Sequence, residues 1–586
     1  MKKLLPLAFL LLAVSWANAQ EDMTTVWETK LGHQILFAGT SLEGEHSYAA
    51  SDKEMSLFDN NSGKVIWEKS FGDMAPKLRK IDELIPFWES STVFLFERKM
   101  GKDQIAVIKL ETGENLWTTD KYQDLDESSI TYIEEEDCFM ITLKKELVYV
   151  RAQTGEELWS TEKFKGVVGQ YHFDGSDHTL TMVNFVPSAL GALLTGFKNQ
   201  IAKINLSNGE IVWENTYVGR AERKVITKEF LFDLSVTDNK VFLRLNGMQV
   251  YDYKTGAKIW AAAYDFTPDI GGKPIGAKAY GIYGTVADPV IEGNDIYVID
   301  MQSRSKQYVK KYDLQTGKLI WTSPEIDNAK AIPGLKVVDG KVLLQIGGIV
   351  EKQYTKIERS GEATYLVSVI DYDNVKPCGI QALNASDGKL AWESERFKKG
   401  ITNGISFNGN NIVCSGKDLY SLDIETGKEK YEVPVSKGGV GLATMIQPFK
   451  DNIIVVIGEK GVSTFNAENG DLINSGKYRT SLLEDRVDNI VIMKTDKADI
   501  GTFDLNTCKY KDFKARTGAI TTLSRDGKFV YVYEKKLVTK LSTLSFHGFT
   551  HKYTLIKRAL QCLQSPPIKK FAVTLLKTMN RKNQFL

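Results

Sequence analysis

The sequence predicts an all-β protein, a multi-bladed β-propeller of four-stranded antiparallel blades closed by strands from the two chain ends. Three observations predict it. One phrase recurs ten times: an alternating apolar strand, a Thr/Ser/Asn-Gly turn, and a second apolar strand that usually ends in Trp. Helical periodicity is nearly absent between the copies. The chain ends supply the two halves of one further copy. A repeat that cannot bury its own apolar face must stack on its neighbours, so this repeat decides the architecture.

The first full copy reads Leu57-Phe58-Asp59-Asn60-Asn61-Ser62-Gly63-Lys64-Val65-Ile66-Trp67, and the next runs from Ile108 to Trp117. The turn glycines stand at 63, 113, 155, 209, 256, 317, 388, 427 and 470, with Cys508 in that place in the last copy. Each turn needs a residue with φ > 0, which Gly adopts without steric cost. The Thr, Ser, Asn or Asp before it bonds the local backbone. Trp at 67, 117, 159, 213, 260, 321 and 392 marks the following strand. Large rings at one repeated position are expected to pack between adjacent sheets. Upstream of each turn lie further strand signals, such as Asn411–Cys414 before Asp418–Asp423, or Ile453–Ile457 before Gly461–Phe465. One copy is therefore about four short strands, one blade.

Val26-Trp27-Glu28 matches the strand after a turn, but no turn precedes it; Lys536–Leu541 matches the strand before a turn, and no Gly-Trp follows. Together they read as one blade completed by both ends, which removes exposed sheet edges. That gives up to eleven units, in one ring or two. The mean period is about 49 residues, but the steps from Gly256 to Gly317 and from Gly317 to Gly388 are 61 and 71 residues, so insertions are expected there on loops.

Composition is that of an ordinary globular protein: 586 residues, 42% hydrophobic and 25% charged. Residues 1–19 read as a secretory leader, with Lys2-Lys3, the apolar run Leu4–Val14 and the cleavage motif Ala17-Asn18-Ala19. The expected location is therefore periplasmic or extracellular. Residues 20–544 form the propeller and 545–586 a basic tail, disordered, amphipathic or non-native. Residues 535–586 hold 11 Lys/Arg and no Asp or Glu; without them and the leader lysines, 62 basic residues face 74 acidic ones. An acidic body argues against nucleic-acid binding. No stretch reaches transmembrane length; the longest apolar one, Phe185–Phe197, is interrupted by Pro187, Gly191 and Gly196 and reads as a buried loop or short helix between strands, the alternative being a partner- or membrane-touching flap. Five cysteines, at 138, 378, 414, 508 and 562, show no metal-ligand spacing, and their odd number leaves at least one thiol over.

The phrase x-Leu-Asp-x-x-Thr-Gly-Lys-x-x-Trp, cleanest in Tyr312–Trp321, resembles the pyrroloquinoline-quinone-type propeller repeat, as does the strand segment Ala287–Val298. The resemblance covers roughly residues 25–541. It implies the propeller fold. It does not separate quinoprotein dehydrogenases from BamB-like assembly components and other binding propellers, which share the repeat. In the dehydrogenases, the resemblance implies pyrroloquinoline quinone with calcium in a central channel, under a ring of two adjacent bonded cysteines and beside an Asp base. This chain has no adjacent cysteines.

Other chemistry-bearing patterns read first as structure. His172-Phe173-Asp174-Gly175-Ser176-Asp177-His178 has ligand-type spacing, but Asp-Gly between strands is a turn signal. Asp371-Tyr372-Asp373-Asn374 opens like a calcium loop but lacks its Gly and distal Glu. Glu134-Glu135-Glu136-Asp137 reads as a solvated hairpin tip. The candidate partner or ligand loop is the Gly-rich Ile270–Gly284, with Gly271, Gly272, Lys273, Lys278, Tyr280 and Tyr283, joined to one functional face by Gly347-Gly348 and the insertion reaching Lys376. The reading that follows is an exported, non-catalytic binding or assembly scaffold without a cofactor, whose partner is a protein or another cell-envelope component. The alternative is a quinoprotein-like dehydrogenase or other small-molecule enzyme using the channel.

Overall fold

The turn glycines set the local geometry. All nine have φ between +66° and +74°. In each turn the glycine N–H donates to the carbonyl four residues back, as from Gly63 to Asp59 and from Gly317 to Asp313, both at 2.8 Å. Where the turn opens on Asp, that carboxylate also accepts from the N–H and hydroxyl three residues on. Asp59 does so from Ser62, Asp252 from Thr255, Asp313 from Thr316 and Asp423 from Thr426. These bonds hold the Asp59, Asp252, Asp313 and Asp423 carboxyls below their ordinary range.

After the turn, the last strand of the blade carries a β-bulge. In ten blades its pairing slips by one residue, at Val26, Ile66, Leu116, Leu158, Val212, Ile259, Ile320, Ala391, Lys430 and Ile473. A bulge re-aims the residue beside it. Here that residue is Trp in eight of the blades, and in seven of them its ring is turned onto the next blade. Trp27 lies over Gly63, and Trp117, Trp159, Trp213, Trp260, Trp321 and Trp392 lie over Gly155, Gly209, Gly256, Gly317, Gly388 and Gly427; a Cβ on any of these glycines would come within 2.2–2.7 Å of a ring atom. Six of these indoles also donate Nε1–H to a backbone carbonyl of the next blade: Asn60, Ala152, Leu206, Tyr253, Ala385 and Ile424, at 2.7–3.1 Å. Tyr431 takes the role where Trp is missing, with its ring over Gly470 and its hydroxyl 3.1 Å from the Ala467 carbonyl. The repeated rings are thus cement between blades, as expected.

The chain is a β-propeller of four-stranded antiparallel blades. The structure, a computed structural model, describes residues 21–543 apart from internal stretches, the longest being 186–197, 220–232 and 264–276. The expected leader, the basic tail and nearly all of Phe185–Phe197 lie outside the described residues. Helix among the described residues is confined to Phe71–Met74 and three 3-10 turns. Eleven sheets are formed among the described residues, matching the upper count of units read from the repeat. By internal packing they divide into two units.

The smaller unit gathers residues up to Asp73, Leu483–Asp504 and Lys511 onward. It contains the composite blade. Thr24–Lys30 pairs antiparallel with Leu537–Ser542, setting Trp27 opposite Lys540, and Glu21–Asp22 adds a parallel strand to Lys511–Asp512. Met23, Ile500, Val530, Val532 and Leu541 form one buried layer, and Leu31, Ala49, Phe58, Tyr531, Tyr533 and Val538 the next. Closure by both ends is therefore as predicted.

The larger unit, Met74–Leu482 with Leu505–Tyr510, contains eight blades in sequence. Each adjacent pair shares an apolar layer, such as Phe94, Trp117, Phe139 and Val150, or Ile412, Val435, Ile454 and Phe465. Cys138, Cys378 and Cys414 are buried thiols outside any disulfide, and burial pushes the Cys138 and Cys378 thiols up.

Candidate functional site

Blade strands are short, but two consecutive strands of the larger unit are not. The outgoing strand Lys341–Ser360 has 20 residues and the return strand Ala363–Asn384 has 22. Their first part is ordinary blade: Lys341–Gln345 pairs with Gly334–Val338, and Gln381–Leu383 with Leu390–Glu393. Past Gly348 the hairpin runs on as an arm, with Gly348 opposite Val375 and Ser360 opposite Ala363. At about 3.4 Å per residue the arm reaches about 40 Å.

The root of the arm explains Gly347-Gly348. Between the pairs Ile346–Gly379 and Gly348–Val375 the register shifts, so Gly347 stands across from Lys376–Cys378. Gly347 has φ +66°, and a Cβ there would lie 2.1 Å from the Pro377 carbonyl oxygen. Gly348 has φ +124°, and its Cβ would meet the Gln345 amide at 2.6 Å. Two glycines let the chain leave the blade where any side chain would clash. Ala331, Val350 and Val375 form a small buried cluster at this root, and the Gly347 N–H bonds the Ala331 carbonyl at 2.8 Å.

A third strand completes the arm. Ala277–Tyr283, from the other insertion, pairs antiparallel with the outgoing strand: Tyr280 stands opposite Tyr354, Ile282 opposite Lys352, and Tyr283 opposite Glu351. The two insertions predicted from the repeat spacing are thus one structural element. Of the predicted loop residues, Tyr280 and Tyr283 lie on this strand and Lys278 is its bulged residue, while Gly271, Gly272 and Lys273 lie outside the described residues. Asp371–Asn374, read as an incomplete calcium loop, is strand, with Asp371 opposite Lys352 and Asn374 opposite Ile349.

The remaining polar clusters fasten blades together. Glu134–Glu136 is a 3-10 turn between strands, and Asp137 follows in the left-handed region. In the neighbouring turn, His178 sets Nε2 3.0 Å from Glu136 and Nδ1 2.8 Å from Ser207. Asp174 accepts from the Ser176 N–H and hydroxyl and, at 2.7 Å, from the Tyr253 hydroxyl; these bonds bring its carboxyl down to about 2. Asp177 holds the buried Lys203 ammonium at 2.6 Å, and that ammonium also stands 3.8 Å from the Tyr253 ring centroid. The cluster read first as a turn is a turn, and its side chains tie three blades together.

Among the described residues no group of three or more His, Cys, Asp or Glu stands together as a metal-holding set. No helix among the described residues is long and apolar enough to cross a membrane.

Sequence reasoning missed that the arm is strand. The available signal was two β-rich runs, Ile349–Ile357 and Ala363–Tyr372, around Ser360-Gly361.

The family model described as outer membrane protein assembly factor BamB matches residues 17–166 and 379–502. Over 220 residues the chain is 28% identical to the tetrathionate hydrolase of Acidithiobacillus ferrooxidans, covering 35% of this chain and 41% of that protein. The chain thus spans about two fifths of that relative's length. Among solved structures, BamB from Moraxella catarrhalis is 12% identical, covering 72% of this chain and 99% of that one, with a TM-score of 0.28. The quinohemoprotein alcohol dehydrogenase ADHIIG from Pseudomonas putida HK5 is 11% identical, covering 92% and 78%, with a TM-score of 0.30. By its repeat and by this family model, which matches just under half of its residues, the chain is similar to the pyrroloquinoline-quinone-like, BamB-like β-propeller repeat family.

Proposed function

We propose that this protein is an exported binding scaffold whose blades hold the three-stranded arm rigidly out for a partner. The observation that supports this reading is the pairing of Ala277–Tyr283 with the arm of Lys341–Asn384. Two insertions from different blades, otherwise unneeded by the repeat, build one element that projects from it. A projecting sheet with free edges is suited to recognition by strand addition. The partner expected is a protein or another component of the cell envelope, in keeping with the leader and with the description of the matching family model.

The test replaces residues 350–373 with an Asn-Gly turn, leaving Gly334–Ile346 and Gly379–Glu393 to form the blade. Proteins crosslinked to the full chain in the envelope should be lost from the variant, while its melting temperature stays close to that of the full chain. If every partner stays bound to a well-folded variant, the arm is not the docking element.

A second reading is hydrolysis of a small sulfur compound, favoured by the 28% identity to a tetrathionate hydrolase. Incubation of the purified chain with tetrathionate decides it. Consumption above the buffer rate supports that reading, and none removes it.

A further inference from the structure

Resting on the reading of the arm as the binding element, we infer that its free edge pairs with the same edge of a second copy of this chain, giving a two-fold dimer joined through Ala363–Tyr372.

The edge is open. From Ala363 to Tyr372 the return strand pairs on one side with the outgoing strand; its other side meets no strand among the described residues, because Leu390–Glu393 reaches only Gln381–Leu383. Ten residues of open edge span about 34 Å. Edge strands that must stay unpaired are blunted by Lys, Pro, Gly-linked bulges or shortness. This one reads Ala-Thr-Tyr-Leu-Val-Ser-Val-Ile-Asp-Tyr, with no Lys, Arg, Pro or Gly. The strand at the opposite edge of the arm differs, with Lys278 at a bulge and Gly281.

The sequence of the edge names its occupant. Read outward from Ser368 it is nearly symmetric: Val367 and Val369, then Leu366 and Ile370, then Tyr365 and Asp371, then Thr364 and Tyr372. An antiparallel copy centred on Ser368 therefore sets Val opposite Val, Leu opposite Ile, Tyr opposite Asp and Thr opposite Tyr. β-Branched and aromatic pairs of this kind stabilise antiparallel sheets, and no like charges oppose. Only shifts of two residues preserve the pleat. A shift one way sets Leu366 against Ser368, and the other way sets Val367 against Asp371. The register centred on Ser368 is the best matched, and it is isologous, so it closes as a dimer and does not propagate.

The test measures the mass of the full chain in solution by light scattering. The unaltered chain should run at twice the chain mass. Ser368→Lys, which places two ammonium groups opposite each other, should halve that mass while leaving the melting temperature unchanged. Register is read by oxidative crosslinking. Ser368→Cys should crosslink to itself, Leu366→Cys alone should not, and Leu366→Cys mixed with Ile370→Cys should. A single-chain mass for the unaltered protein, a dimer unaffected by Ser368→Lys, or self-crosslinking at 366 overturns the inference. If Ser368→Lys instead releases a different protein from a single-chain particle, the dimer is wrong and the scaffold reading stands. If the dimer forms as described and the armless variant keeps every other partner, the dimer stands and docking of other proteins on the arm falls.

Discussion

At the scale of single residues, the strongest constraint is the pairing of each ring with the next blade's turn. Trp213 Nε1 donates to the Tyr253 carbonyl at 2.9 Å, whereas the buried Trp260 Nε1 has no partner and its ring instead stacks on Tyr312 with centroids 5.6 Å apart. Trp213→Phe strands a buried carbonyl, a loss of about 1–3 kcal/mol that Trp260→Phe does not incur. Urea denaturation should show Trp213→Phe as the more destabilising by that margin; equal losses would mean the indole bond contributes nothing. The same neighbourhood sets an acid limit. Asp174 titrates near 2 in the folded chain because the Ser176 and Tyr253 hydroxyls and the Ser176 N–H bond its charged form. A carboxyl depressed on folding stabilises above its ordinary pKa of about 4 and loses that contribution as pH falls through its folded value. Stability should therefore decline between about pH 4 and 2, and more gently in Asp174→Asn. An identical acid slope in that variant would assign the decline to other carboxyls, Asp59 and Asp423 first.

At the scale of elements, period-two alternation and the φ > 0 turn made the blades legible, because both are local. The bulges were not. Val26, Ile66, Val212, Ile259, Ile320 and Ile473 look like core residues of a strand, yet each is bulged and between 41% and 52% exposed. A one-residue slip sends the side chain outward, and no local sequence feature separates that slip from regular alternation. The arm was half legible. Spacing located both insertions, but pairing Tyr280 with Tyr354 across 74 positions is a non-local choice. The closing blade was legible because each half carried recognisable repeat text. Its prediction is direct. Deleting residues 21–30 strips the outer strand from Leu537–Ser542 and the added strand from Lys511–Asp512, and it removes Met23 and Trp27 from their buried layers. Two open edges and lost core should lower the melting temperature and cause aggregation, and a synthetic peptide of residues 21–30 should restore both. A truncated chain that melts normally without the peptide would show that closure does not hold the smaller unit together.

At the scale of the whole molecule, charge is distributed unevenly along a chain whose formal total is +1. The last described strand, Leu537–Ser542, already completes its blade, and Thr543 bonds back to Gly527 and Lys528. Beyond that point come 8 of the 75 Lys/Arg and none of the 74 Asp/Glu. A chain ended after Thr543 and lacking the leader carries a formal charge of about −9, against about −1 with the tail. Net charge of this size governs association and solubility, not fold. The shortened chain should melt at the temperature of the longer one. At neutral pH it should bind an anion exchanger from which the longer chain elutes early. If shortening instead lowers the melting temperature, residues after 543 contribute packing that the repeat does not require, and the fold does not end with its closing strand.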